Sequence, residues 1–100
     1  MNINQQRKAI DKIDAQIVKL LNDRTRHVLE IGKAKIASGE EIYAPHRESD
    51  LLSRIRKLNP GPIADESLSA IYREVMSSAL ALQKTLTIAY LGPEATFTHQ

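Results

Sequence analysis

A long, unbroken helical pattern constrains this chain more than any other feature. From about residue 5 to about residue 38 there is no proline, and Gly32 is the only glycine. Apolar residues recur at steps of three, four and seven, which is the spacing of one stripe along an α-helix. The stripe consists of Ile10, Ile13, Ile17, Leu20, Leu21, Val28, Ile31 and Ala34. The predicted helix extends about 50 Å and ends at Ser38-Gly39, with Gly39 as a left-handed cap.

Two shorter helices are predicted after this rod. The second begins at Pro45, a residue that suits a first helical turn, and ends near Lys57. The sequence Asn59-Pro60-Gly61-Pro62 interrupts the pattern, and the third helix runs from about residue 64 to about residue 84. The apolar stripes of these two helices are Leu51, Leu52, Ile55 and Leu58, then Leu68, Ile71, Tyr72, Val75, Ala79 and Leu82.

The unequal lengths of the three helices predict an assembly of two chains. The second and third helices are too short to cover a rod of about 50 Å from end to end, whereas a second copy would supply the missing partners. The predicted fold class is therefore all-α, with three helices per chain, one long and two shorter, in an intertwined homodimeric helical bundle.

The pattern changes after residue 85. Residues 86–91 (Leu-Thr-Ile-Ala-Tyr-Leu) are typical of a β-strand, and Gly92-Pro93 is a turn signal. Because so short a stretch cannot form a domain, we predict one domain over residues 1–85. Residues 86–100 are predicted to be a tail or the start of a further, truncated unit.

Composition limits the classes of protein. The chain has 100 residues, of which 42% are hydrophobic and 26% charged, as is typical of one small soluble domain. It lacks cysteine, an apolar run near the roughly 20 residues of a membrane span, and a secretory signal, so we predict a cytoplasmic protein with no membrane partner. The net charge is only +2, with both signs interspersed, which suits a small anion as well as nucleic acid.

The sequence shows no motif for metal or covalent chemistry. His27, His46 and His99 lack the spacing of metal ligands, and neither a nucleophile elbow nor a phosphate-binding loop occurs. An enzyme with this sequence would work by positioning and charge, and we predict no metal and no cofactor.

Three cations of the first helix are candidate site residues. Arg24 interrupts the apolar stripe, and Lys35 lies on nearly the same face about 16 Å further along the axis. The two side chains could lean toward one anion, or extend from the edge of the core into water. Arg7 lies about 25 Å before Arg24. It therefore joins the same site only if it comes from the other subunit, and is otherwise a solvated charge.

Three further candidates also have ordinary interpretations. Glu48, at the start of the second helix, is favourable at the positive end of the helix dipole, and Arg47 could form a surface ion pair. Gln83 falls in the last predicted turn of the third helix, where a surface position is expected. None of these residues alone indicates a site.

Together, five segments in order along the chain carry a specific resemblance. They are Arg7-x-x-Ile10-x-x-Ile13-Asp14, Leu20-Leu21-Asn22-Asp23-Arg24, Ile31-Gly32-Lys33-Ala34-Lys35, Tyr43-Ala44-Pro45-His46-Arg47-Glu48 and Ala81-Leu82-Gln83. Over residues 5–84 the chain resembles the all-helical chorismate mutase family, in the form found at the front of bifunctional chorismate mutase–prephenate dehydratases. Residues 88–99 resemble the first strand and turn of a prephenate dehydratase domain.

The resemblance implies a homodimeric isomerase that converts chorismate to prephenate in phenylalanine and tyrosine biosynthesis. Arg24 and the Arg7 of the partner subunit would hold the two carboxylates of the substrate. Lys35 and Gln83 would bond the ether oxygen of the breaking C–O bond, and Glu48 the ring hydroxyl, with Arg47 nearby. No cofactor is implied, because the reaction is an intramolecular rearrangement.

Two positions depart from the family pattern. The family usually has an aspartate before the proline, and this chain has Ala44 there. If that position contacts the substrate through its backbone N–H, the contact is kept. If it acts through a carboxylate, the contact is lost. The small hydroxyl residue often found four before the glutamine is Ala79 here. The resemblance therefore places Ala79 at the site without a side-chain hydroxyl to contact the substrate.

Three other functions remain open from sequence. One is an isochorismate pyruvate lyase of the same fold, which the dehydratase-like tail disfavours. A second is a helical RNA-binding module, for which basic residues are expected on one exposed face. The inward placement of Arg24 and Lys35 argues against this function. We therefore predict no nucleic-acid partner. A third is a regulatory dimerisation domain that binds chorismate without converting it.

Overall fold

The computed structural model describes residues 2–41 and 45–91, and this part of the chain contains three α-helices and no strand. Helix α1 spans Ile3–Ser38, α2 spans Pro45–Leu58 and α3 spans Asp65–Leu91. The prediction of an all-α fold with three helices is confirmed. In the described residues, no helix is both long enough and apolar enough to span a membrane.

Capping interactions of the residues next to α1 set both of its ends. The Asn2 side chain accepts a hydrogen bond from the backbone N–H of Gln5, while the Gln5 side chain accepts one from the N–H of Asn2. This capping box starts the helix two residues earlier than the apolar pattern predicts. At the other end Gly39 adopts φ 77°, and the N–H of Glu40 bonds to the carbonyl of Lys35. The predicted left-handed cap is confirmed.

The turn between α2 and α3 is organised by Asn59. Its side-chain nitrogen donates to the carbonyl of Ile63 and to the carboxylate of Asp65, over 2.8 and 2.7 Å. Its side-chain oxygen accepts from the N–H of Gly61. The predicted interruption after α2 is therefore a compact turn, and it directs α3 back along the chain.

Helix α3 is central to the packing, because it contacts both α1 and α2. Among the described residues the buried hydrophobic side chains are Leu51, Ile55 and Ala79, which form a small core. The radius of gyration is 17.6 Å, against about 13 Å for a compact chain of this length. The single chain is thus an elongated body around one long rod.

The first half of α1 carries its apolar stripe on the surface. Ile10, Ile13 and Ile17 are about half exposed, at 53, 52 and 47%, and Leu20 is 63% exposed. We call the exposed residues Ile10, Ile13, Ile17, Leu20 and Leu21 the α1 stripe. A contiguous apolar surface of this kind is typical of an interaction face.

The prediction of a strand over residues 86–91 is wrong, because α3 continues as a helix through Leu91. No glycine or proline occurs between Pro62 and Gly92, and Leu86 lies against α1, with its side chain near Gly32. Strand propensity depends strongly on context, and packing against a neighbouring helix overrides it. The helix also crosses the domain boundary that the sequence predicts at residue 85.

Charged side chains pair along the solvent face of α1. Asp23 accepts hydrogen bonds from both Lys19 and Arg26, each over 2.8 Å. The hydrogen bond from Lys19, with the positive charges of Lys19, Arg26 and His27, lowers the pKa of Asp23 below its ordinary value, although slight burial opposes this. These residues lie off the apolar stripe, on the face of α1 that is exposed to solvent.

Candidate active site

A cleft of about 370 Å³ lies where the three helices meet, within the size range of sites for small molecules. All three helices contribute to its wall. The lining residues are Arg24, Val28, Ile31, Lys35, Arg47, Glu48, Leu51, Met76, Ala79, Leu80 and Gln83. The cleft therefore combines an apolar wall with a small number of charged and polar groups.

Helix α1 supplies one side of the cleft through Arg24, Val28, Ile31 and Lys35. These residues are four, three and four positions apart, so they lie on one face of the helix. Arg24 and Lys35 are partly buried, and two apolar side chains lie between them. The two cations thus stand near opposite ends of one apolar wall.

Helix α3 supplies the opposite side through Met76, Ala79, Leu80 and Gln83. Their spacing of three, one and three again defines one helix face. Ala79 is 3% and Gln83 7% exposed, so the deepest part of this wall is a methyl group beside a side-chain amide. The ordinary interpretation of Gln83 as a surface residue does not hold, because α3 continues past it and packs on α1.

Helix α2 contributes Arg47, Glu48 and Leu51 from its first two turns. Glu48 lies in the first turn, where the helix dipole favours a negative charge. Arg47 is exposed and Glu48 partly buried. The start of α2 therefore places one cation and one carboxylate at the cleft.

The amide of Gln83 is held in place by the backbone of α1. Its Nε2 atom donates to the carbonyl oxygen of Val28 over 2.9 Å. Gly32, which is buried in α1, lies beneath the same side chain. A Cβ atom at Gly32 would lie 3.4 Å from both Cγ and Nε2 of Gln83. A methyl group at residue 32 would therefore be in van der Waals contact with the amide, and a branched side chain would compete with the amide for the same space.

The cleft has a positive formal charge. Arg24, Lys35 and Arg47 provide three cations, and Glu48 provides one carboxylate. The net value of two positive charges is complementary to a small dianion. In the described residues, no cluster of three or more His, Cys, Asp or Glu side chains is arranged to hold a metal ion.

The structure brings together six of the eight residues that the sequence analysis singled out. Arg7 does not line the cleft: it lies exposed near the start of α1, about 25 Å along the helix from Arg24. Ala44 lies outside the described residues. Met76 and Leu80 also line the cleft and were not predicted, although their spacing with Ala79 and Gln83 marks one face of α3.

The fold and the site define an all-helical protein with a positively charged cleft between its helices. The profile of the family described as chorismate mutase type II matches residues 6–84. The chain belongs to this family.

The relatives agree with this assignment. The chain is 52% identical over 94 residues to the bifunctional chorismate mutase/prephenate dehydratase of Neisseria gonorrhoeae, covering 94% of this chain and 25% of the relative. The bifunctional enzyme of Aquifex aeolicus is 42% identical over 102 residues, covering 98% of this chain and 28% of the relative. The chain thus spans about a quarter of the length of these curated relatives.

A solved structure has the same fold. The chorismate mutase of Thermus thermophilus, in its form II structure, superposes with a TM-score of 0.80 at 34% identity. The superposition covers 82% of this chain and 93% of the other. The match therefore extends over nearly the whole of a protein described as a chorismate mutase.

Proposed function

We propose that the cleft binds chorismate and catalyses its rearrangement to prephenate. The observation that carries this proposal is the convergence of three cations, one carboxylate and one buried amide from three helices on a cleft of about 370 Å³. Chorismate carries two carboxylates and a ring hydroxyl. Family membership and the names of the relatives support this substrate.

Binding of the substrate rests on charge and shape. In the proposed complex Arg24 pairs with one carboxylate, an arrangement that suits the planar, two-pronged guanidinium group. Glu48 accepts a hydrogen bond from the ring hydroxyl, and Arg47 adds positive charge at the same end of the cleft. The apolar wall formed by Val28, Ile31 and Leu51 holds the ring and limits access of water.

Catalysis then depends on position and electrostatics. The reaction breaks one C–O bond and forms one C–C bond within the same molecule, so all atoms are retained and no proton is transferred. The cleft holds the enolpyruvyl side chain over the ring, which removes entropy from the activation barrier. Negative charge grows on the ether oxygen as the C–O bond breaks. Lys35 and the N–H of Gln83 stabilise that charge more strongly in the transition state than in the ground state.

We further propose that the functional unit is a homodimer in which Arg7 of the second copy completes the site. Arg7 is too far from Arg24 to act in the same cleft of its own chain. The exposed α1 stripe, the small core and the elongated shape support a partner along α1. In this dimer the second guanidinium holds the second carboxylate, and Ala44 contributes through its backbone N–H.

The longer protein and its setting are part of the same proposal. The names of the relatives, which are about four times as long, support a second unit with prephenate dehydratase activity that begins within residues 86–100. The proposed place of action is the cytoplasm, as for other biosynthetic enzymes that use soluble metabolites.

One experiment tests the central proposal. The purified chain is mixed with chorismate, the loss of chorismate absorbance is followed in the ultraviolet, and the product is identified by mass spectrometry. Prephenate is the expected product, and sedimentation equilibrium is expected to give twice the monomer mass. In a parallel reaction with isochorismate, release of pyruvate and salicylate would instead support the lyase. Binding of chorismate without turnover would support a regulatory domain.

A further inference from the structure

We infer that Gly32 is a positioning residue that fixes the orientation of the Gln83 amide. Through this glycine, one N–H of Gln83 is held by the carbonyl of Val28 and the other is left for a ligand oxygen in the cleft. The assignment of that ligand oxygen rests on the proposed function. The positioning itself rests on the contacts between α1 and α3.

The first observation is the direction of the hydrogen bond. Gln83 is 7% exposed, and its Nε2 atom lies 2.9 Å from the carbonyl oxygen of Val28, a residue 55 positions earlier in the chain. A backbone carbonyl can only accept, so the nitrogen side of the amide must face α1. An amide nitrogen carries two hydrogens, and the bond to Val28 uses one. The second hydrogen points elsewhere in the plane of the same amide.

The second observation is the close approach at Gly32. A Cβ atom there would lie 3.4 Å from Cγ and Nε2 of Gln83 and 3.6 Å from a side-chain carbon of Leu86. Glycine is among the least favourable residues in a helix interior, and Gly32 lies well inside α1. An alanine methyl would make a van der Waals contact with Gln83 at the short end of the ordinary range, whereas the branched side chain of valine would occupy the space of the amide.

These contacts give the two N–H groups of the Gln83 amide different roles. One is bonded to the carbonyl of Val28, and the other is available to a ligand. The fixed donor determines the rotamer of Gln83, and the other donor acts on the ligand without a reorientation step. Preorganised donors of this kind contribute most in a site from which water is excluded. The sequence element Gly32-Lys33-Ala34-Lys35 thus positions Gln83 through its glycine and presents Lys35 directly.

A double-mutant cycle tests the inference. Gly32→Val is expected to lower kcat by roughly 10- to 100-fold with little change in KM, and Gly32→Ala by a smaller factor. In a Gln83→Ala background, where the amide is absent and the space is open, Gly32→Val is expected to change kcat less than about 3-fold. Ala37→Val, on the exposed side of the same helix, is the control for added β-branching and is expected to leave kcat within about 2-fold.

Equal losses in both backgrounds would overturn the inference, because Gly32→Val would then act on the helix packing and not through Gln83. The same cycle in thermal unfolding gives a second measurement. Gly32→Val should lower the melting temperature in the parent chain and do so much less beside Gln83→Ala.

A measurement without substrate separates this inference from the proposed function. In ¹⁵N,¹³C-labelled protein, one of the two Nε2 protons of Gln83 is expected to exchange slowly, with a coupling across the hydrogen bond to the carbonyl carbon of Val28. Gly32→Val should abolish both. If the parent chain fails to convert chorismate but shows these signals, the proposed function fails and the positioning stands. If neither signal is found in the parent chain, the positioning fails whatever the activity.

Discussion

Nε2 of Gln83 and the backbone oxygen of Val28 are joined by a hydrogen bond of 2.9 Å that connects α3 to α1 at the wall of the cleft. Gln83, the donor in this hydrogen bond, is 7% exposed. The donor is a neutral amide, and the acceptor is a backbone carbonyl, which has no proton to donate. Because an amide does not ionise, residue 83 can donate this hydrogen bond at any pH at which the chain is folded.

Gln83→Glu is expected to make the activity depend on pH. A protonated glutamic acid can donate to the ether oxygen, but it has one donor in place of two, so activity at acid pH should be present and below that of the parent. As pH rises through the ionisation of the new carboxyl, ordinarily near about 4.3, the donor is lost and a negative charge repels the developing oxyanion. The measurement is kcat between about pH 4 and pH 8. A profile for this variant that is flat over that range would contradict the role of Gln83.

Lys35→Ala is expected to lower kcat by about 10²- to 10³-fold or more, because a charged donor to the breaking C–O bond is removed. Lys19→Ala is the matched control, since Lys19 lies on the same helix and its side chain is 75% exposed. The control should retain the activity of the parent. Similar losses in both variants would indicate a general effect on α1, and steady-state kinetics with circular dichroism distinguishes the two cases.

Arg7→Ala and Arg24→Ala are expected to complement each other in mixed dimers. Each variant alone should be nearly inactive, because both sites of its dimer lack one guanidinium. In a mixed dimer with one variant chain of each kind, one site lacks both arginines and the other lacks neither. Random exchange of subunits should therefore restore about a quarter of the parent sites. Activity after unfolding and refolding the mixture measures this, and a mixture no more active than its components would exclude a shared site.

Asp23→Asn is expected to lower the melting temperature slightly near neutral pH and less at acid pH. The pKa of Asp23 in the folded chain is below its ordinary value of 3.8, so its ion pairs stabilise the fold above that value. This stabilisation is lost as pH falls through the lower folded-state pKa. Thermal unfolding at pH values between about 2 and 7 measures the difference. Added salt should reduce it, and the exposed Asp11→Asn serves as the control. A difference that grows toward low pH would refute this assignment.

Leu86→Ala is expected to destabilise the chain by about 1–2 kcal/mol, because the partly buried side chain packs against α1 beside Gly32. Ile88→Ala, at a position that is 45% exposed, should cost less. Chemical denaturation of the two variants measures this contrast. The reverse order would argue against a helix that continues from residue 84 through this segment.

Local chemistry made much of the fold predictable from the sequence. The helical period set the three helices, and Gly39 and Asn59-Pro60-Gly61 marked where two of them end, since these residues favour turns. The start of α1 was displaced because the Asn2 and Gln5 side chains, and not apolar residues, form its cap. The strand prediction for residues 86–91 failed because a short β-prone sequence continues a helix when no breaker precedes it and Leu86 packs on a neighbour.

The charged residues of the site could be predicted from the sequence, whereas the contacts between its side chains and the backbone could not. Arg24 and Lys35 stood out because cations at stripe positions are unusual, and the family resemblance added Arg47, Glu48 and Gln83. Met76 and Leu80 did not stand out, because apolar residues at helical spacing look the same in a core and in a cleft wall. The bond from Gln83 to Val28 joins a side chain to a backbone atom 55 residues away. No pattern of side chains along the sequence carries information about such a contact.

Helix α1 is continuous over Ile3–Ser38. It therefore fixes both the distance and the relative rotation between residues near its two ends. One inserted residue between positions 8 and 23 would rotate Arg7 by about 100° relative to Arg24 and displace it by about 1.5 Å. A loop would absorb such a change, but a rigid rod passes it on to its far end. In the proposed dimer both sites would lose their second guanidinium at once, so the number of residues in α1 matters as much as their identity.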